Sequence, residues 1–346
     1  FDCLNHEQLI SKLQGLGVRG MAAEWFKSYL SNRTQHVEIA YTKDNTKHKT
    51  LSKATSIRRG VPQGSVLGPV LFILFVNDLP GWIGEAGHNI MYADDTVLTL
   101  ADRTTERLEL TTSMHFHRTK LYCSSNDLVL NENKTVQMTF TTKRNTNVSL
   151  PGLQTQTSTK YLGIIIDSKL SWKPHVDQLN KKLSTSLYTI RRIKQVCSPD
   201  VARVAYYALF ESHLRYGIAA WGGASKGNLD KLLVKQKRAI RCLANLNYRD
   251  SCRESFKDLK ILTIVSLYIR EVIIHTITTT QPRHRDLHQH NTRHAANFTI
   301  PQHRMSLFEQ KPSYKGALYY NNLPEHLKRD QPKNFKRQLT AWHLER

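Results

Sequence analysis

Along the first third of the chain, apolar residues alternate between helical and strand spacing. Over residues 4–16, Leu9, Leu13 and Leu16 recur on one helical face before Gly15 and Gly17 break the pattern. A second helix is predicted over residues 21–30, with Met21, Trp25, Phe26 and Tyr29 as its apolar stripe and Ser31-Asn32-Arg33 ending it. Val37 and Ile39 then alternate with polar neighbours as in a strand, and the polar stretch 42–55 reads as a hairpin tip or loop. Residues 66–76 form a nearly unbroken apolar run after Gly60-Val61-Pro62-Gln63-Gly64-Ser65. Two glycines and a proline specify an irregular turn, Ser65 can cap the helix that follows, and that helix, apolar on all sides, is expected to be buried. Residues 90–100 are two short strand-like runs joined at Ala93-Asp94-Asp95. A helix-like stretch passes His117 and Leu121, a strand runs through Met138 and Phe140, and a polar loop covers 141–159. Residues 161–167 read as one strand in which Gly163 marks a bend or a close backbone approach.

Past residue 170 the pattern turns helical. Val176, Leu179, Leu183, Leu187, Ile190 and Ile193 share one face, while Lys181, Lys182, Arg191, Arg192 and Lys194 lie elsewhere on that helix. Ser198-Pro199-Asp200 supplies an N-cap, an N1 proline and a first-turn acid for a helix reaching about residue 216. Another helix spans about 229–243, and the stretch 314–344 is a final packed helical piece. Charge sharpens this division. The chain of 346 residues has a formal net charge of +22. Residues 1–170 carry 19 Lys and Arg against 15 Asp and Glu, whereas residues 171–346 carry 31 against 13. An excess concentrated in one half implies a polyanionic partner, with nucleic acid the leading candidate and a merely soluble basic surface the alternative.

Other classes are excluded by composition. With 40% hydrophobic and 23% charged residues the chain is not disordered throughout. The longest apolar stretch is far short of the roughly 20 residues that cross a bilayer, so no membrane partner is expected. Five dispersed cysteines without a Cys-x-x-Cys pair argue against a disulfide framework, a disulfide-linked partner or a zinc ribbon. The segment 281–304, with His284, His288, His290, His294 and His303 among arginines, lacks a nearby cysteine pair and reads as a basic loop. The chain opens Phe-Asp-Cys-Leu with neither Met nor a basic-then-apolar leader, and is expected to be a fragment. Candidate chemistry sits at two places. Asp94 and Asp95 repel one another and are costly beside an apolar sheet unless a cation neutralises them, and their oxygens suit Mg²⁺. Taken alone, the pair favours a solvent-exposed acidic turn. The Gly60 to Ser65 turn is either a tight entry to a core helix, which leaves Gln63 idle, or a functional turn in which Gln63 has a task.

Read together, Arg59-Gly60-Val61-Pro62-Gln63-Gly64-Ser65, Tyr92-Ala93-Asp94-Asp95, Leu130-Asn131 with Lys134-Thr135, and Tyr161-Leu162-Gly163 fall in the order seen in reverse transcriptases. The set resembles the polymerase of non-LTR, LINE-like and jockey-like retrotransposons, as do Trp25-Phe26-Lys27-Ser28-Tyr29-Leu30-Ser31-Asn32-Arg33 and Asp167-Ser168-Lys169-Leu170-Ser171-Trp172. The resemblance is close over residues 1–175 and looser beyond. It implies an α+β fold: a polymerase palm of antiparallel sheet backed by helices with partial fingers over 1–170, a helical basic thumb over 171–280, and a His-rich loop with a mainly helical tail over 281–346. By this resemblance Asp94 and Asp95 are metal-binding catalytic carboxylates and Lys134 neutralises or protonates pyrophosphate. Phe1, Gln63 and Gly64 face the nucleotide, Phe1 excluding a ribose 2′-OH, while Arg59, Tyr161, Leu162 and Gly163 contact template or primer.

The implied reaction is RNA-directed DNA synthesis, transfer of deoxynucleotides onto a primer 3′-OH with two Mg²⁺ ions, for which Mn²⁺ can substitute. Its partners are an RNA template, a DNA primer or target DNA and the deoxynucleotides, in the nucleus or cytoplasm. One departure bears on activity: in the family a further metal-binding Asp precedes the Phe-Asp pair, so Phe1-Asp2 matches only the end of that motif and Asp2 takes no catalytic role. The 346 residues alone are therefore expected to be inactive, the alternative being a non-catalytic nucleic-acid-binding remnant of a decayed element.

Overall fold

Asn5 starts the first helix by accepting hydrogen bonds from the backbone N–H groups of Glu7 at 2.9 Å and Gln8 at 3.3 Å, which satisfies donors that a helix start leaves unpaired. The computed structural model describes the chain apart from residues 63, 85–86, 143–147, 149, 151, 288–293, 329–331 and 346 and the side chains of 332 and 333. It divides into two units, Phe1–Gln156 and Thr157–Arg346. Among the described residues the strands pair as five two-stranded sheets, four antiparallel and one parallel, so the fold is α+β. No described helix is long and apolar enough to cross a membrane.

In the first unit, α1 (His6–Gly15) and α2 (Gly20–Leu30) precede β1 (Thr34–Gln35), β2 (Glu38–Lys43), β3 (Thr46–Leu51) and β4 (Thr55–Ser56). Then come α3 (Leu67–Val76), α4 (Leu79–Ile83), β5 (His88–Tyr92), β6 (Asp95–Thr99), α5 (Thr105–Ser125), a 3-10 turn Glu132–Lys134, β7 (Val136–Gln137) and β8 (Gln154–Thr155). Leu4, Leu9, Leu13 and Leu30 bury against Leu71, Phe72, Phe75 and Val76, each such side chain contributing about 1.5–3 kcal/mol. Behind them Leu79, Ile83 and Tyr122 form a smaller cluster on which Met91 and Leu98 of the β5–β6 hairpin pack.

A single cation joins these layers. Lys12 Nζ donates to the Phe75 carbonyl oxygen at 2.8 Å, near the C-terminal end of α3, and to Asp78 Oδ1 at 2.8 Å, while the Tyr122 hydroxyl donates to the same Oδ1 at 2.5 Å. Burial opposes ionisation of Asp78, but the bonds from Lys12 and Tyr122 hold its carboxyl below the usual carboxylate range.

Four expectations change. Of the two readings of the polar stretch 42–55 the hairpin tip holds, at the two-residue turn Asp44-Asn45 with positive φ at both positions, but the stretch also contains a full strand, β3, paired residue for residue with β2. The helix α3 is buried on one face only: Val70 and Ile73 are exposed, as is Val66 just before it at 88%, since its neighbours pack on the side of Leu71, Phe72 and Phe75. Residues 161–167 are the end of β9, a turn and β10 rather than one strand, and no strand passes through Met138 and Phe140: only Val136–Gln137 pairs, with Gln154–Thr155 inside the stretch 141–159 expected to be a loop.

In the second unit β9 (Ser158–Tyr161) and β10 (Ile164–Asp167) make a hairpin, followed by α6 (Lys173–Val196), α7 (Pro199–Ala205), a π-helical turn Tyr206–Glu211, α8 (Ser212–Arg215), α9 (Ile218–Trp221), α10 (Lys226–Leu243), α11 (Arg253–Asp258) and α12 (Ile264–Thr278). The chain continues through α13 (His284–Leu287), α14 (Pro312–Asn321), α15 (Glu325–Lys328) and α16 (Pro332–Glu345). Val176, Leu179, Leu183, Leu187 and Ile190 of α6 pack against Tyr206, Phe210, Leu214, Trp221 and Ile240, as the heptad-like spacing predicts. His288, His290 and Arg293 of the expected basic loop lie outside the described residues.

Asp167 organises the entry to α6. Its carboxylate accepts from the backbone N–H groups of Ser171 at 3.0 Å, Trp172 at 2.8 Å and Lys169 at 3.2 Å, folding a turn in which Leu170 and Trp172 take positive φ. Burial raises its pKa, but the N–H bonds from Ser171 and Trp172 outweigh this and leave it below the ordinary value. A depressed folded-state pKa stabilises above the unfolded value near 3.9 and is lost as pH falls through the folded one. Asp167→Asn is therefore expected to cost about 1–3 kcal/mol at pH 7 in thermal unfolding, with the gap from wild type closing below about pH 4. In the first unit, Lys12→Met should cost about 1–3 kcal/mol, because it leaves the Phe75 carbonyl and the Asp78 carboxylate without their cationic donor.

Candidate functional site

The β5–β6 hairpin places two carboxylates at its tip. Tyr92 lies opposite Asp95 in the ladder, so Ala93 and Asp94 are the two turn residues and Asp95 begins β6. Ala93 has φ +52°, the sign that a two-residue hairpin turn of type I′ or II′ requires at its first position and that an L residue adopts at a cost of about 1–2 kcal/mol. Met91 and Leu98 anchor the stem on the Leu79, Ile83 and Tyr122 cluster, so the floor under the turn is packed while the tip is open. Asp94 and Asp95 are both exposed, and among the described residues neither carboxylate accepts a hydrogen bond or makes an ion pair. Adjacent unpaired carboxylates repel, and hard oxygen donors of this kind suit a divalent cation. No group of three His, Cys, Asp or Glu side chains placed to hold a metal occurs among the described residues, and the tip by itself presents two carboxylates.

A second assembly forms where the chain start meets the turn before α3. Gly60 N–H donates to the Leu4 carbonyl at 2.8 Å, Val61 N–H to the Phe1 carbonyl at 3.1 Å, and His6 Nε2 lies 2.7 Å from the Gly60 oxygen. Gly60 has φ +80°, and a Cβ there would sit 2.9 Å from Asp2 Cα, so only glycine lets the two segments approach. The Phe1 ring lies 4.7 Å from that of Phe72. Arg59 makes an ion pair with Asp127 at 3.3 Å, and Asn5 Nδ2 donates to the same carboxylate oxygen. Gln63 lies outside the described residues. Gly64 also has positive φ, +81°, but with open space around it. Ser65 caps the helix: its Oγ accepts from Gly68 N–H at 3.0 Å and donates to the Pro62 oxygen at 2.8 Å.

Lys134 ends the 3-10 turn with its backbone N–H on Asn131 and its side chain exposed. No hydrogen bond, ion pair or ring contact among the described residues joins Asp94 or Asp95 to Phe1, Arg59 or Lys134. Tyr161, Leu162 and Gly163 belong to the second unit. There Leu162 and Gly163, at φ +44° and +83°, form the tight turn between β9 and β10. The Tyr216 hydroxyl donates to the Leu162 oxygen at 2.6 Å, and its ring carbon lies 3.2 Å from where a Gly163 Cβ would stand. Gly163 thus makes the expected turn, while the close approach there comes from the Tyr216 side chain rather than from another backbone. No sequence signal marks Asp127, Phe72 and Tyr216 as the partners that hold Arg59, Phe1 and Leu162. Each lies tens of residues from its partner, and no local spacing announces such a pair.

Residues 1–166 match the family model described as reverse transcriptase (RNA-dependent DNA polymerase). The chain is 28% identical over 284 residues to a probable RNA-directed DNA polymerase from transposon BS of Drosophila melanogaster, covering 76% of this chain and 30% of the relative. It is 25% identical over 252 residues to the RNA-directed DNA polymerase from mobile element jockey of the same species, covering 68% and 26%. The jockey polymerase of Drosophila funebris is 27% identical over 290 residues, covering 79% and 30%. The chain thus spans less than a third of the length of these curated relatives.

The two glycines of the turn should respond differently to substitution. Gly60→Ala combines positive-φ strain with a backbone clash and is expected to cost 2 kcal/mol or more, whereas Gly64→Ala carries strain alone, about 1 kcal/mol. Chemical denaturation of both variants checks the ranking, and equal losses would contradict it.

Proposed function

We propose, for a chain whose residues 1–166 belong to the reverse transcriptase family, that it is part of an RNA-directed DNA polymerase of a non-LTR retrotransposon. In this reading residues 1–170 are palm with partial fingers, 171–280 a helical thumb and 281–346 a basic loop with a helical tail. The observation that carries the reading is the exposed, unpaired Asp94 and Asp95 pair on a packed hairpin floor, within the stretch that matches the family.

Each residue then has a task. Asp94 and Asp95 would hold divalent ions, Mg²⁺ by donor type with Mn²⁺ as substitute. Such ions, when bound, neutralise charge on the transferring phosphoryl group and hold the attacking and leaving oxygens. The tight turn fixes both carboxylates on one backbone, so little conformational freedom remains to be lost on loading. Phe1, held by Phe72, lies against the sugar of the incoming deoxynucleotide and crowds a 2′-OH. Gln63 and Gly64 lie along the nucleotide and template, Gly64 leaving room for close backbone approach. Arg59 directs positive charge at the template backbone, and the exposed Lys134 ammonium neutralises departing pyrophosphate. The Leu162-Gly163 turn with Tyr161 supports the primer end. The excess of 31 basic over 13 acidic residues past 170 supports a nucleic-acid partner for the helical half, template RNA and primer or target DNA. Work on chromosomal DNA would place it in the nucleus, and assembly on RNA in the cytoplasm.

One observation favours a second reading. Among the described residues no third acid joins Asp94 and Asp95, so the 346 residues alone are poorly equipped to hold two ions and would act as a non-catalytic nucleic-acid-binding remnant. Primer extension on a poly(A) template with Mg²⁺ separates the two. We expect extension by a longer chain that carries the family's upstream aspartate, little by the 346 residues alone, and a loss of about a hundredfold or more on Asp94→Ala. Absence of extension from both chains, with nucleic-acid binding retained, would establish the remnant reading instead.

A further inference from the structure

Residues 34–56 are exposed without interruption. They form a two-stranded ribbon rooted where β1 pairs with β4, Thr34 opposite Ser56, three residues before Arg59. Midway, Val37 N–H donates to Ser52 Oγ and Ser52 N–H to the Val37 carbonyl, both at 2.9 Å, and β2 and β3 carry the ribbon on to the Asp44-Asn45 turn. Register places Ile39, Tyr41 and Lys43 on one face with Thr46, His48 and Thr50. On that face the Tyr41 and His48 rings stack at 5.5 Å with 24° between their planes. Ile39 and Tyr41 remain 61% and 46% exposed.

An isolated two-stranded ribbon is marginal in water, and exposed apolar and aromatic side chains gathered on one signal a surface that something covers. Charge selects the occupant. The ribbon contains Lys43, Lys47, Lys49 and Lys53 against only Glu38 and Asp44, and Lys49 takes Glu38 at 2.5 Å. Lys43, Lys47 and Lys53 make no ion pair among the described residues. A second copy of the ribbon would bring like charges together, whereas a polyanion with flat bases matches both the ammonium groups and the ring pair.

We propose that this ribbon is a nucleic-acid-binding arm, resting on the polymerase reading above. The Tyr41–His48 ring pair stacks on an unpaired base of a single strand, and Lys43, Lys47 and Lys53 meet its phosphates. Base stacking on aromatic side chains is tolerant of sequence, so the arm grips template without reading it.

The test is fluorescence anisotropy with labelled 20-nucleotide single strands, on the 346-residue chain over a range of salt. Tyr41→Ala with His48→Ala should weaken binding about tenfold with the salt slope unchanged, and Tyr41→Trp should retain the affinity. Lys43→Gln, Lys47→Gln and Lys53→Gln together should lower the slope of log K against log salt by about 2. Circular dichroism and size exclusion report whether each variant keeps its fold and its oligomeric state. Binding by the wild type that every folded variant matches would overturn the arm and leave the polymerase reading standing. A wild type that binds no nucleic acid would overturn both. A dimer that Tyr41→Ala dissociates without change in affinity would make the ribbon a self-association edge and overturn the proposal.

Discussion

The first unit depends on how one ammonium group is satisfied. Lys12 reaches across from α1 to the Phe75 carbonyl at the end of α3 and to the Asp78 carboxylate before α4, and stands over the rings of Phe75 and Tyr122. A helix end leaves carbonyls unpaired, and a lysine whose stem packs on aromatic rings can satisfy one with little exposure of its own. Tyr122 from α5 completes the junction through the same carboxylate. The cluster that this junction closes is the surface on which the β5–β6 hairpin stands. The position of two mutually repelling carboxylates is thus set from below, by apolar packing and one internal cation, and their tip stays free.

The second unit uses charge similarly at its helix ends. Lys194 donates to the Cys242 and Leu243 carbonyls and to Asn245 Oδ1, closing the C-terminal end of α10 from the neighbouring α6. Gln236, fully buried, donates to the Tyr206 hydroxyl at 3.0 Å and the Leu262 carbonyl at 2.9 Å and accepts from Ile264 N–H at 2.9 Å. A buried amide satisfied on both sides specifies one arrangement of α10, the π-helical turn and the start of α12. Such internal uses engage only a few of the basic residues. Most of the excess remains at the surface, where a polyanion can meet it.

The amphipathic helices were legible because their periodicity is local: the buried face of α6 follows the spacing of Val176, Leu179, Leu183 and Leu187, and α1 follows Leu9 and Leu13. The paired aspartates and the glycine turn were legible because their residue types are costly or conformationally special wherever they stand. Less could be read where neighbours decide. An all-apolar run such as α3 carries no periodicity to say which side will find a partner. The strand β3 is almost wholly polar, yet turn geometry at Asp44-Asn45 and the ladder with β2 suffice to form it.

The sequence by itself determined the main amphipathic helices, the helical character of the second half, the two carboxylates and the glycine turns. These are properties of residues within a few positions of one another, where backbone sterics and hydrophobic spacing act directly. Tertiary structure alone decided that Arg59 is held by Asp127, that Phe1 rests on Phe72, that Tyr216 closes the Leu162-Gly163 turn and that the ribbon of residues 34–56 stands out in solvent. Contacts of that kind join positions far apart in the chain, and their energy exists only once the intervening segments have folded and brought the two surfaces together.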